Sequence, residues 1–246
     1  MRMSMLALAA LLSASLAPSV PAADAAKIHV LLWTGDDVKV HNWKETAPAT
    51  RDILAASGRF DVTVSEDPAA LDSADALKAY QVIYVCRYNA STPTLGEAGR
   101  QNLLDFVKGG KGLVVTHLSS ASFKDWDEWK KLCGRYWVMG KSGHGPRGTF
   151  KVHVVEKADP VMQGLEDFET SDELYAKLQG DAPIRTLATA DSDFSKKTEP
   201  LVFTTDYGQG RVFSHTFGHD VKALEPAAVR AIVVRGTEWA ATGKVQ

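Results

Sequence analysis

Beyond residue 26 the apolar positions fall into short blocks divided by polar turns, and the period changes from block to block. Residues 27–33 (KIHVLLW) form a run too short for a helix and read as a first strand. Residues 43–57 carry apolar side chains at helical spacing, with Gly58 as the stop. The alternation over 60–64 predicts a strand with one wet face. The almost unbroken apolar run over 80–86 predicts a strand covered on both faces. Thr94 and Glu97 have capping-box spacing ahead of a helix through Leu103, Leu104, Phe106 and Val107, which Gly109-Gly110 ends. Residues 112–117 (GLVVTH) are another buried strand. Alternating strands and helices predict βαβ units and a parallel sheet, because each crossover helix returns the chain to the same end.

The second half reads differently. Residues 150–155 alternate, 184–188 are strand-like, and 201–205 and 211–217 flank the Gly-rich turn Asp206-Tyr207-Gly208-Gln209-Gly210, which predicts a β-hairpin. A closing helix spans 226–241, with Glu225 and Pro226 at its first turn. The fold class is therefore α/β: a mostly parallel central sheet flanked by helices, with a β-hairpin region added in the C-terminal half. No linker or repeat divides residues 23–246, which read as a single domain.

Composition narrows the function. A net charge of −2 over 246 residues excludes broad nucleic-acid binding. Two cysteines can build neither a disulfide scaffold nor an all-cysteine zinc site, and the apolar settings of Cys86 and Cys133 suit free buried thiols. Residues 1–22 have the three regions of a signal peptide: Arg2, an apolar run over 6–16, and Val20-Pro21-Ala22 before Ala23. Cleavage after Ala25 fits nearly as well. A periplasmic or secreted protein is expected, free of the membrane once cleaved. A homo-oligomer is compatible with the sequence.

No Gly-x-Ser-x-Gly elbow, phosphate loop or His-Glu-x-x-His occurs, so the chemistry falls to the seven histidines. His41 follows the first strand, His117 ends GLVVTH, His144 lies between Gly143 and Gly145, and His219 follows the last strand. His215 lies late in that last strand. Ligands of open α/β sheets bind beyond the carboxyl ends of the parallel strands, which is where His41 and His117 are placed. His29 and His153 lie inside strands and read as structural. Asp172 and Glu173 (SDELY) are either a solvated turn or an acid held inward as a base.

These segments resemble the ThuA-like (trehalose-utilisation) family, whose fold is that of class I glutamine amidotransferases, akin to the flavodoxin-like arrangement. The matching stretches are KIHVLLWTG, His41-Asn42-Trp43, FVKGGKGLVVTH, His144 in its Gly-rich loop, Asp159-Pro160-Val161 to Gly164-Leu165, SDELY and YGQGRVFSHTFGHD, in the family's order. The family usually has His-Pro at the Gly-rich loop, whereas Gly145 separates His144 from Pro146 here. Amidotransferase chemistry needs a Cys nucleophile on the elbow after a central strand. GLVVT delivers His117 to that elbow instead, and glutamine hydrolysis is not expected.

The resemblance implies sugar metabolism, of trehalose-like glycosides or keto-sugars, with a small-molecule sugar as partner. Imidazoles with a carboxylate are a usual set for Zn²⁺ or a similar divalent ion. We expect His117, His144 and His219 as metal ligands meeting Glu173, with His41 at the edge and Asp220 orienting the His219 ring. Glu173, His117 and His41 are the catalytic candidates. Trp43, Tyr88 and Asp172 are assigned to substrate, with Trp137 as a further platform. Two function classes remain: an enzyme acting as hydrolase, lyase or isomerase on a sugar, and a non-catalytic carbohydrate-binding or assembly domain.

Overall fold

Side chains alternate between the two faces of a strand, so a strand that is apolar at every position needs a covering layer on both sides. The computed structural model, which describes residues 26–89 and 95–246, supplies both layers. The signal peptide expected over 1–22 lies outside the described residues, as does Thr94. In chain order the elements are β1 (Ile28–Trp33), α1 (Trp43–Ala56), β2 (Phe60–Ser65), α2 (Ala74–Leu77), β3 (Val82–Val85), α3 (Glu97–Lys108) and β4 (Gly112–Thr116). A 3₁₀ turn (His117–Ala121), α4 (Asp127–Cys133), β5 (Gly143–His144), β6 (Gly148–Val154), β7 (Phe168–Asp172) and β8 (Tyr175–Ala176) follow. The chain closes with β9 (Arg185–Ser192), β10 (Lys197–Tyr207), β11 (Gly210–His215), α5 (Val221–Leu224) and α6 (Ala227–Thr242).

Nine strands form one sheet in the order β2-β1-β3-β4-β11-β10-β9-β6-β7. The run from β2 to β11 is parallel throughout, and β10, β9, β6 and β7 extend it antiparallel. The predicted hairpin exists, but β11 pairs parallel with β4, so it is part of the main sheet rather than an appendage. Val30 and Leu32 of β1 and Val114 of β4 join a core beneath α1 and α6. Leu31, Trp33, Leu113 and Val115 join a second core beneath α3 and α4. Helix α6 lies so close to the sheet that a Cβ on Gly236 would come within 2.1 Å of the Phe213 ring.

Two sequence expectations shift. Helix α3 begins at Glu97 with Gly96 as its N-cap, so Glu97 occupies the first helical position, not the third that a capping box needs. Pro226 is itself the N-cap of α6. Among the described residues no helix is long and apolar enough to cross a membrane. Cys86 and Cys133 are both free thiols.

Candidate metal centre

The chain ends of three parallel-core strands and of β7 converge above one edge of the sheet. The loop after β1 brings Asp37 and His41, β4 ends at His117, the turn after β11 brings His219, and β7 ends in Asp172 beside Glu173. His117 has φ 45°, a left-handed conformation that is costly for a residue with a Cβ. It sits where the strand breaks sharply into a 3₁₀ turn, at the position of a nucleophile elbow.

Two of the imidazoles are oriented from behind. His41 Nδ1 donates to Asp37 Oδ1 (2.9 Å), leaving Nε2 3.8 Å from Glu173 Oε2. His117 Nδ1 donates to the Thr216 carbonyl (2.7 Å), so its Nε2 carries the lone pair, 3.5 Å from Glu173 Oε2. His219 presents Nδ1 at 3.2 Å from Glu173 Oε1. Ligand atoms of His41, His117, His219 and Glu173 all lie within 4.8 Å of one another. Donors about 2.1 Å from a tetrahedral ion lie roughly 3.4 Å apart, close to the histidine–carboxylate separations seen here.

Buried His117 Nε2 and His219 Nδ1 have no hydrogen-bond partner. A lone pair aimed at a carboxylate oxygen is a repulsive contact unless a positive charge stands between them. The electrostatics point the same way. Burial penalises the charged form of Glu173, yet the neighbouring imidazoles of His117, His41 and His144 hold its carboxyl well below the usual range. Burial alone would push His41 down, but Asp37 and Glu173 raise it to about 9. Burial lowers His219. The cluster therefore demands positive charge, met by a proton or by a cation.

A family model for trehalose utilisation (ThuA) matches residues 29–240, a span that contains every one of these side chains. The chain belongs to the ThuA family. Membership assigns it to sugar metabolism. A putative ThuA-like protein from Parabacteroides merdae is 30% identical with a TM-score of 0.78, over 90% of this chain and 92% of that one. A second, from Bacteroides uniformis, is 16% identical with a TM-score of 0.72, over 94% and 97%. A β-galactosidase from Bacillus circulans sp. alkalophilus shares the fold at 14% identity and a TM-score of 0.57, over 86% of this chain and 31% of that chain. No curated protein sequence matches the chain significantly.

In this ThuA-family chain several assignments made from sequence move. His41, expected at the edge, completes the tight group, while His144 stands beside it with Nε2 3.4 Å from Glu173 Oε1. Asp172, assigned to substrate from sequence, is closed off. It is 1% exposed, and its carboxylate accepts from the backbone N–H groups of Glu173, Gly218 and His219. Burial pushes its pKa up. It fixes the turn that carries His219, where Gly218 has φ 123°. Asp220 does not orient the His219 ring either; it caps α5 at Ala223 N–H and pairs with Arg147 at 2.6 Å. Trp43 opens α1 under Lys44, whose Nζ lies 5.5 Å from the ring centroid, and is not brought against the histidines.

Sequence reading missed Asp37 and Tyr175. Asp37 stands four residues before His41, in a Gly-Asp-Asp loop after β1, a spacing that could have flagged it. Tyr175 is fully buried and stacks on His117, centroids 4.3 Å apart. Tyr88 and Trp137 pack around the same tyrosine. His215 stays out of the site, buried and hydrogen-bonded to the Tyr84 hydroxyl at 2.8 Å. His29 and His153 lie at the periphery, beside the carboxylates of Asp61 and Asp167.

Proposed function

We propose that this ThuA-family chain is a metal-dependent enzyme acting on a glycoside or keto-sugar related to trehalose, with the ion held by His41, His117, His219 and Glu173. The observation that carries the reading is the tautomer pattern: Asp37 and the Thr216 carbonyl occupy the Nδ1 protons of His41 and His117, which turns both Nε2 atoms toward Glu173. A bound divalent cation such as Zn²⁺ supplies Lewis acidity toward a sugar carbonyl or hydroxyl.

The chain's own groups do the rest. Tyr175 and Asp172 hold His117 and the His219 turn in place from beneath. His144 is the most exposed of the four imidazoles, at 31%, and its Nδ1 donates to the Gly145 carbonyl at 2.6 Å. Its Nε2 therefore presents a lone pair that can accept a proton from a sugar hydroxyl or an acidic C–H at the mouth of the cluster. Cys86 takes no part, because burial and the Asp37 charge push its thiol up to about 12.

Residues 1–22 support export, so the working compartment is periplasmic or extracellular; the N-terminus of the mature protein, expected at Ala23 or Ala26, is read by mass spectrometry. The metal reading is tested on protein purified without a histidine tag. About one transition-metal ion per chain is expected by elemental analysis or on Zn²⁺ titration, lost in His117→Ala and His219→Ala with the circular-dichroism spectrum unchanged. Wild-type protein that neither retains nor takes up an ion overturns it, and a sugar-binding module then fits better.

A further inference from the structure

Beside the histidine cluster lies a second cavity of about 390 Å³, lined by Tyr88, Trp137, Met139, Lys124 and Lys141 among others. It opens at the carboxyl ends of β3 and β4, where open α/β sheets bind ligands. One aromatic chain joins it to the cluster: the Trp137 ring is 5.9 Å from His144 and 4.5 Å from Tyr175, and Tyr175 stacks on His117. The volume suits a single sugar ring or a group of that size. Trp137 is only half-buried, and Met139 is 56% exposed. An apolar face open to solvent at such a spot suits stacking better than core packing.

The charge of the cavity is one-sided. None of its lining residues is acidic, and three are lysines. Lys130 is matched by Asp127 at 2.6 Å. Among the described residues the side chains of Lys124 and Lys141 have no ion-pair partner, and both are exposed. Ser120 and Ser122 spend their hydroxyl protons on the backbone carbonyls of His117 and Arg87. Two unmatched ammonium groups at a cavity without carboxylates attract anionic oxygen and give it charge-assisted hydrogen bonds.

We propose that this cavity is a second subsite, which takes the part of the substrate away from the reacting carbon, and that this part carries an anionic oxygen group, a carboxylate or a phosphate. The proposal rests on the histidine cluster being the reacting site. Trp137 stacks the ring or chain of the distal group, Lys124 and Lys141 neutralise its charge, and the reacting ring extends past Trp137 toward His144.

The test is binding of D-glucuronate, glucose 6-phosphate, glucose and inorganic phosphate to the full chain, by calorimetry and tryptophan fluorescence, with and without chelator. Either anionic sugar is expected to bind at least about tenfold more tightly than glucose, the range of a charged hydrogen bond. The ratio of glucuronate to glucose 6-phosphate decides between carboxylate and phosphate. Lys124→Gln with Lys141→Gln should abolish that preference and its salt dependence, while Trp137→Ala weakens the sugars but not inorganic phosphate. Equal affinity for glucose and the anionic sugars, or a preference unchanged in the double lysine variant, overturns the proposal. Binding without chelator is compared with binding in its presence, so a failed metal centre shows separately: metal uptake is lost while the anion preference stays. Lys124 and Lys141 are exposed, and a matching thermal melt confirms that the double variant is folded.

Discussion

Asp37→Asn isolates the support of a single ligand. The amide keeps the shape of the carboxylate, so its oxygen still accepts from His41 Nδ1, now 2.9 Å away, and from the Val38 N–H at 2.6 Å. Only the charge is removed. The pair is nearly dry, with side-chain exposures of 6% for His41 and 13% for Asp37, so solvent does little to mask the loss. A charged hydrogen bond exceeds its neutral counterpart by about 1 kcal/mol. The carboxylate also makes the imidazole a stronger donor to a metal, and loss of such a partner typically costs about 10- to 100-fold in affinity, or roughly 1.4–2.7 kcal/mol. Zn²⁺ competition against a chromophoric chelator at constant pH measures this directly. The expected result is an affinity for Asp37→Asn between those of wild type and His41→Ala. If Asp37→Asn binds within twofold of wild type while His117→Ala does not bind, His41 is not a ligand and the four-residue assignment fails.

His215 gives a pH prediction. Burial lowers its pKa to about 3, and it sits as a neutral ring that accepts from Tyr84 and contacts Thr116. Below pH 6.5 the unfolded chain takes up the proton first, so wild-type stability falls between about pH 6.5 and 3 by up to roughly 1.4 kcal/mol per unit. Urea midpoints of His215→Gln should fall less steeply over that window; parallel curves would count against the burial argument. Asp172→Ala strips one acceptor from three backbone donors and should cost roughly 2–4 kcal/mol, with zinc affinity falling too, whereas Asp172→Asn recovers part of both. Cys86→Ser and Cys133→Ser should keep full metal binding and any sugar turnover, and native protein should resist iodoacetamide; activity lost in folded Cys86→Ser would restore a thiol mechanism.

The parallel half of the sheet was legible because its central strands β3 and β4 are buried on both faces and so carry unbroken apolar runs, while the edge strand β2 alternates. The antiparallel half was legible at its hairpin and at the readings over 150–155 and 184–188, which fall on β6 and β9. β7 (FETSD) has a buried Thr170 and Asp172 where an apolar residue would signal a strand, so no strand was read there. The histidines were legible as strand-end residues, since topology alone sends strand ends to one rim. Their division of labour was not. Whether His41 or His144 joins the tight group depends on how far each loop folds back, and the signal for His41 is an aspartate four residues upstream whose role only the folded geometry reveals. Asp172 looked like a substrate acid for the same reason: sequence shows a carboxylate beside Glu173, but not the three backbone donors that already occupy it.

The elbow carries the deepest consequence of the fold. A strained residue after β4 costs stability whether it is Cys or His, and it persists where surrounding contacts hold it. Here the Thr216 carbonyl holds the His117 ring, and Tyr175 stacks on it. A cysteine at this place would present a thiolate to a carbonyl carbon; an imidazole with Nδ1 already engaged presents one lone pair instead. The thiol nearest the elbow, Cys86, faces inward and is held protonated, so no nucleophile of that type is offered. What the elbow and the neighbouring strand ends share is their aim at Glu173. Replacing a nucleophile by a lone pair converts a site for covalent catalysis into one that gathers positive charge. An imidazole in that place asks for no new backbone.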